Sequence, residues 1–105
     1  MADQPLLLAL DQGTSSSRAA VFDRDGNLVA SSSAPLPIDY PADGWVEQDP
    51  EAIWSSQLQA LVQLHRQLDE RQRAAVLSCG ITNQRETTVL WRRSSGRPCG
   101  PALVW

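Results

Sequence analysis

Two polar clusters interrupt otherwise apolar sequence, and their residue types suit chemistry on charged and hydroxylated ligands. The first is Asp11-Gln12-Gly13-Thr14-Ser15-Ser16-Ser17-Arg18. Gly13 lets the backbone turn tightly and lets a ligand come close to it. Thr14 to Ser17 offer adjacent hydroxyls and a row of N–H groups, which in a turn can form a concave anion site. Arg18 adds a fixed positive charge. Asp11 is the odd member, because a carboxylate beside an anion site repels the anion. A bridging Mg²⁺ resolves that conflict, since it binds carboxylate, water and phosphate oxygens together. The octet therefore reads as a magnesium–phosphate turn. A Gly/Ser-rich hairpin connection with no ligand fits the same spacing.

The second cluster is Thr82-Asn83-Gln84-Arg85-Glu86-Thr87. Arg85 only donates hydrogen bonds, and ionised Glu86 only accepts them. Together they can hold a small polyol by both its oxygens and its O–H protons. A surface loop with an exposed Arg–Glu pair, worth about 0–1 kcal/mol, fits as well.

The elements around the clusters follow from hydropathy and turn chemistry. Leu6 to Leu10 is too short for a membrane span and right for a buried strand. Ala19 to Phe22 is a second strand, so the octet is a turn between strands. Asp23-Arg24-Asp25-Gly26-Asn27 is a strong turn signal, and Leu28 to Ser31 makes a third strand of an antiparallel meander. Pro35 to Gly44 is an irregular connection rich in proline, turning at Pro41 to Gly44. Trp45 to Gln48 is a short extended piece, with Trp45 read as a packing residue.

Asp49-Pro50-Glu51 starts a helix: a cap, a proline suited to the first helical position, and an acid at the positive end of the dipole. Apolar residues recur at helical spacing from Ile53 to Leu68, which predicts a helix over about 50–70. Asp69 to Arg73 reads as its solvated end, and His65 as structural. Ala74 to Thr82 is the next strand, with Leu77, Cys79 and Ile81 on one face and Cys79 a small core residue. Gly80 on the other face suggests a close backbone approach. Thr87 to Arg92 is a further strand, so residues 74–92 form a hairpin carrying the second cluster at its turn.

Composition narrows the function classes. At 105 residues the chain is the size of one domain. Net charge is −3 with no basic block, which argues against a nucleic-acid surface. All nine basic residues are Arg, so a Walker-type loop, which needs lysine, is excluded. Two cysteines and one His without a C-x-x-C are too few for a disulfide framework or a zinc site. The start of the chain, Met1 to Pro5, carries no basic region, and the apolar run after it is too short for a signal peptide. A cytoplasmic setting with no membrane association fits.

With these motifs in view, the chain resembles the amino-terminal part of the FGGY family of carbohydrate kinases. The match lies in Ala9 to Arg18, Tyr40-Pro41, Gly44 to Pro50 and Gly80 to Thr88. The first stretch is shared, more loosely, with other sugar kinases and with actin- and heat-shock-type ATPases. Asn83 to Thr88 points to the glycerol-phosphorylating branch. Two departures are small: Ser15 stands where Thr is common, and Gln48 stands where His is common, away from the proposed chemistry.

The resemblance implies an α/β fold, the ribonuclease-H-like half of a two-domain actin/hexokinase-type kinase. It implies a mixed sheet with antiparallel hairpins and one main helix. It further implies ATP-dependent phosphorylation of glycerol by the full-length protein, a homo-oligomer. Asp11 would help hold Mg²⁺, and Thr14, Ser15, Ser16 and Arg18 would contact the nucleotide phosphates. Arg85 and Glu86 would bond glycerol hydroxyls, and Trp105 would pack on its carbons. The general base and the adenine pocket would lie beyond residue 105. Another FGGY kinase acting on a pentulose or gluconate, or an actin-type nucleotide domain with no polyol substrate, are the alternatives.

Overall fold

The computed structural model describes residues 4–104. Strands β1 (Leu6–Gln12), β2 (Ser16–Asp23) and β3 (Leu28–Pro35) form the expected antiparallel meander. Its second turn is held by Asp23, whose Oδ1 accepts from the N–H groups of Asp25 and Asn27, both at 2.9 Å. Gly26 takes φ +84°, a conformation glycine adopts without steric cost.

The connection after Pro35 is more regular than its prolines suggest. Strands β4 (Asp39–Ala42) and β5 (Trp45–Gln48) pair antiparallel around Asp43-Gly44, with Gly44 at φ +78°. Trp45 is 63% exposed among the described residues, so it does not pack as expected.

Helix α1 (Pro50–Gln67) begins where expected, with the Asp49 carboxylate accepting from the Glu51 N–H at 3.0 Å. It ends three residues early. Leu68 turns to extended backbone and is buried, and Asp69 caps a second helix, α2 (Glu70–Ala75). Asp69 and Gln72 form a reciprocal capping box, each side chain accepting from the other's backbone N–H. Arg73 Nε and Nη2 then donate to the His65 carbonyl at 3.0 and 2.8 Å, pinning one helix to the other. The acidic-basic run expected as a solvated helix end is therefore a second helix start.

One face of the meander carries the core. Leu6, Ala19, Val21 and Ala34 pack against Ala60, Leu64 and Leu68, with Leu8 and Leu10 at the margin. Leu64 is 1% exposed, and truncating it to Ala would cost roughly 2–5 kcal/mol.

Strand β6 (Val76–Thr82) joins β1 in parallel, giving the sheet order β3-β2-β1-β6. The helix lies over β3 and β2 and barely reaches β1. Leu77, Cys79 and Ile81 are consequently exposed, so Cys79 is not a core residue among the described residues. Among the described residues an added Cβ at Gly80 would meet nothing within 4 Å, so no close backbone approach among them explains that glycine.

The expected hairpin over 74–92 does not form either. After Thr82 the chain leaves the sheet, and Thr87 to Arg92 is not a continuous strand. Thr88 instead exchanges two hydrogen bonds with Leu103, at 3.0 and 2.9 Å. Leu103 belongs to β7 (Ala102–Val104), which pairs with β5 in a second sheet ordered β4-β5-β7.

Candidate functional site

Parallel pairing of β1 with β6 sets the site. The register places Asp11 beside Thr82, and the Thr82 hydroxyl donates to Asp11 Oδ1 at 2.9 Å. On the other side of β1, Asp11 is directly opposite Arg18 of β2. Both clusters thus leave the sheet at its carboxyl-terminal edge, from adjacent strands. In open α/β sheets that edge is where ligands bind.

The first cluster is a tight turn with its carbonyls occupied. The Thr14 carbonyl accepts from Gln48 Nε2 at 2.6 Å, the Ser15 carbonyl from the Leu36 N–H at 2.9 Å, and the Ser16 carbonyl from the Gly13 N–H at 3.0 Å. An anion site needs N–H groups free and carbonyl oxygens engaged elsewhere, and these three bonds meet the second requirement. A Cβ at Gly13 would sit 2.8 Å from the Ser16 carbonyl oxygen. The close approach that requires glycine is made by the chain itself.

The four hydroxyls do not face the same way. Ser15 and Ser16 are exposed and Thr14 is partly so. Ser17 is fully buried, accepting from Gln12 Nε2 at 2.8 Å and sharing a hydrogen bond with the Ser56 hydroxyl of α1. Ser17 thus ties the turn to the helix and does not share the exposed face of Ser15 and Ser16. Arg18 is partly buried, and its carbonyl accepts from Gln57 Nε2 at 3.2 Å.

In the second cluster Arg85 and Glu86 are exposed. Glu86 has φ +60°, unlike any other non-glycine among the described residues. A glutamate in this left-handed region is uncommon, and such outliers gather at ligand sites. Beside it, Gln84 Oε1 and Thr87 Oγ1 are buried without a hydrogen-bond partner among the described residues. Trp105, expected over the glycerol carbons, lies outside the described residues.

Gln48 is the residue that sequence reasoning set aside. It is 0% exposed, and its Oε1 accepts from Gln84 Nε2 at 2.6 Å while its Nε2 holds Thr14. It therefore stands between the two clusters, not away from them. No local signal marks it, because the contact depends on where two distant loops meet.

Comparison with known proteins gives the family. The profile of the FGGY family of carbohydrate kinases, N-terminal domain, matches residues 6–105. The chain belongs to that family. It is 50% identical over 105 residues to glycerol kinase of Rhodospirillum centenum, covering 100% of this chain and 21% of that protein. It is 54% identical over 99 residues to glycerol kinase of Ralstonia nicotianae, covering 94% of this chain and 20% of the relative. The chain thus spans about a fifth of the length of the curated relatives it matches.

Among solved structures, Plasmodium falciparum glycerol kinase with ADP superposes with TM-score 0.84 at 29% identity, covering 100% of this chain and 21% of that one. A xylulose kinase from Brucella ovis gives 0.86 at 27% identity, covering 95% and 21%. The FGGY fold assigns the meander, α1 and β6 to an amino-terminal kinase domain. Among the described residues no helix is long and apolar enough to cross a membrane.

Proposed function

We propose that the whole protein phosphorylates glycerol with ATP, and that this chain supplies part of the phosphate site and part of the acceptor site. The observation that carries the reading is the Asp11–Thr82 hydrogen bond, which puts the two polar clusters at one sheet edge. Glycerol kinases at about 50% identity support the acceptor, and the ADP held by the Plasmodium relative supports the nucleotide.

In this reading Thr14, Ser15 and Ser16 bind phosphate oxygens with hydroxyls and N–H groups, and Arg18 adds charge. Arg85 donates to glycerol oxygens, Glu86 accepts from its hydroxyls, and Trp105 covers its carbons. Holding acceptor and phosphoryl donor at one edge removes much of the entropic barrier to transfer. The general base belongs to the rest of the protein, since Asp11 and Glu86 are both committed to binding.

Asp11 is the candidate for Mg²⁺. No three His, Cys, Asp or Glu gather into a ready metal cage among the described residues. Mg²⁺ does not need one, because it commonly takes one or two carboxylates together with phosphates and water. Asp11 is exposed, and Thr82 takes only one of its acceptor positions. The donor set therefore fits the ion, which when bound would neutralise charge on the transferring phosphoryl group.

The protein is further proposed to act in the cytoplasm as a homo-oligomer, without nucleic-acid or membrane partners. The net charge of −3 on this chain, without a basic block, supports the absence of nucleic acid.

The test is a polyol panel with ATP and Mg²⁺ on the whole protein. Glycerol should give the highest kcat/KM, with glycerol 3-phosphate as product. Preference for a pentulose or gluconate would move the protein to another branch of the family. ATP hydrolysis indifferent to every polyol would favour the actin-type alternative.

A further inference from the structure

Gln48 joins the two clusters through the two ends of one side-chain amide. Its Nε2 donates to the Thr14 carbonyl in the phosphate turn, and its Oε1 accepts from Gln84, one residue before Arg85. Both bonds are 2.6 Å, and the side chain is 0% exposed. Its backbone is fixed as well. Gln48 sits on β5 opposite Ala102 of β7, and the next residue, Asp49, caps α1. Neither the amide nor its strand can move without disturbing the second sheet or the helix start.

The two loops leave adjacent strands that pair in parallel as far as Asp11 and Thr82, and beyond that edge they are held by different contacts. The phosphate turn is anchored by β1, β2, Leu36 and Ser56, and the second cluster by β6 and the Thr88–Leu103 pair. Besides Gln48, the Asp11–Thr82 bond links them, and that bond lies at the start of the second cluster, before Arg85 and Glu86. Building on the reading of the site as a glycerol kinase site, we infer that Gln48 is a positioning residue that sets the distance between the phosphate turn and the Arg85–Glu86 pair.

Only a side chain with a donor and an acceptor at its tip can make both bonds. Gln48→Met keeps length and volume and removes both. Gln48→His in its neutral form offers one N–H and one bare ring nitrogen, and so retains one donor and one acceptor. A residue that merely filled space would affect the amount of folded enzyme and leave the substrate KM values alone. A residue that sets the spacing changes KM for the acceptor and the rate of transfer at equal folded fraction.

The experiment compares wild type, Gln48→Met, Gln48→His, Gln84→Met and the Gln48→Met/Gln84→Met double variant in the whole protein. Each is normalised to folded enzyme by thermal melt and assayed with ATP and a polyol panel. Gln48→Met should lose roughly tenfold in kcat/KM for glycerol, with KM raised, because two buried groups lose their partners. Gln48→His should stay within about threefold of wild type if one donor and one acceptor suffice. The double variant should be no worse for glycerol than Gln48→Met alone, since both changes cut the same link.

Amide hydrogen exchange gives a readout that needs no substrate. Gln48→Met should speed exchange in residues 13–16 and 83–87 together. Unchanged KM and unchanged exchange in both loops would overturn the inference. So would additive losses in the double variant. If wild type prefers another polyol, the glycerol assignment fails, while the same ratios measured with that polyol still decide the role of Gln48.

Discussion

The Thr82 hydroxyl reaches the Asp11 carboxylate at 2.9 Å across two parallel strands, although 71 positions separate the residues in sequence. The hydrogen bond orients a carboxylate that would otherwise rotate freely at the strand end. It also brings the two polar clusters together, because Thr82 opens the second and Asp11 opens the first.

If Asp11 helps bind Mg²⁺, Asp11→Asn should lower kcat by at least about tenfold and shift the Mg²⁺ titration to higher concentration. The substitution keeps shape and an acceptor for Thr82 but removes the charge a hard cation prefers. Steady-state rates against Mg²⁺ concentration check this, and an unchanged titration with unchanged kcat would remove Asp11 from the metal role.

Gly13→Ala should destabilise the turn by roughly 1–3 kcal/mol, the usual cost of forcing atoms into a filled space. The new methyl would stand 2.8 Å from a backbone oxygen that cannot swing aside as a side chain could. Chemical denaturation of the whole protein measures the loss. Nucleotide affinity should fall with it, since the displaced Ser16 carbonyl anchors the turn.

The acid limb of stability should include Asp23. Backbone N–H groups of Asn27, Asp25 and Gly26 and the Asn27 amide hold its carboxyl below the ordinary value of 3.8, against an opposing desolvation effect. The folded state therefore binds the proton more weakly than the unfolded one. The contribution is fully present above pH 3.8 and is lost as pH falls through the lower folded value. Asp23→Asn should remove that part of the acid dependence, as read from denaturation midpoints across the pH range below 5.

Residues 1–105 alone should not phosphorylate glycerol. Asp11 and Glu86 are proposed to serve in binding, and the chain spans about a fifth of its curated relatives. Without a closing cleft, water stays in and the reactants are not held in line. Incubating the purified chain with labelled ATP, Mg²⁺ and glycerol, with Asp11→Asn as control, checks this directly.

What could be read from sequence follows from the range of the forces involved. The meander, the Asp49–Pro50 helix start and the two clusters were legible because turn residues, caps and polar interruptions act within a few positions. The end of α1 was missed because Asp69 and Gln72 look like a solvated charge run until their reciprocal cap is seen. Thr87 to Arg92 has strand-like residues, yet it pairs through isolated bridges, Thr88 with Leu103 of β7 and Trp91 with Pro98, so local propensity misled. Cys79 and Ile81 looked like core residues because apolar alternation reports a potential face, not whether a helix covers it. Ser17 and Gln48 both depend on contacts across more than thirty positions, Ser17 with Ser56 and Gln48 with Thr14 and Gln84. No short-range pattern encodes such contacts.

Arg85→Ala should separate the two substrates, and its effect on each is measured separately. The proposed function has Arg85 bond the glycerol hydroxyls and not the nucleotide phosphates. The expected loss in kcat/KM for glycerol is about 5- to 150-fold, equivalent to roughly 1–3 kcal/mol from polar groups left unpaired. The ATP or ADP dissociation constant should stay within about twofold of wild type, measured by calorimetry on the whole protein. Near-normal kcat/KM for glycerol, or a loss confined to nucleotide binding, would contradict the proposed role of Arg85.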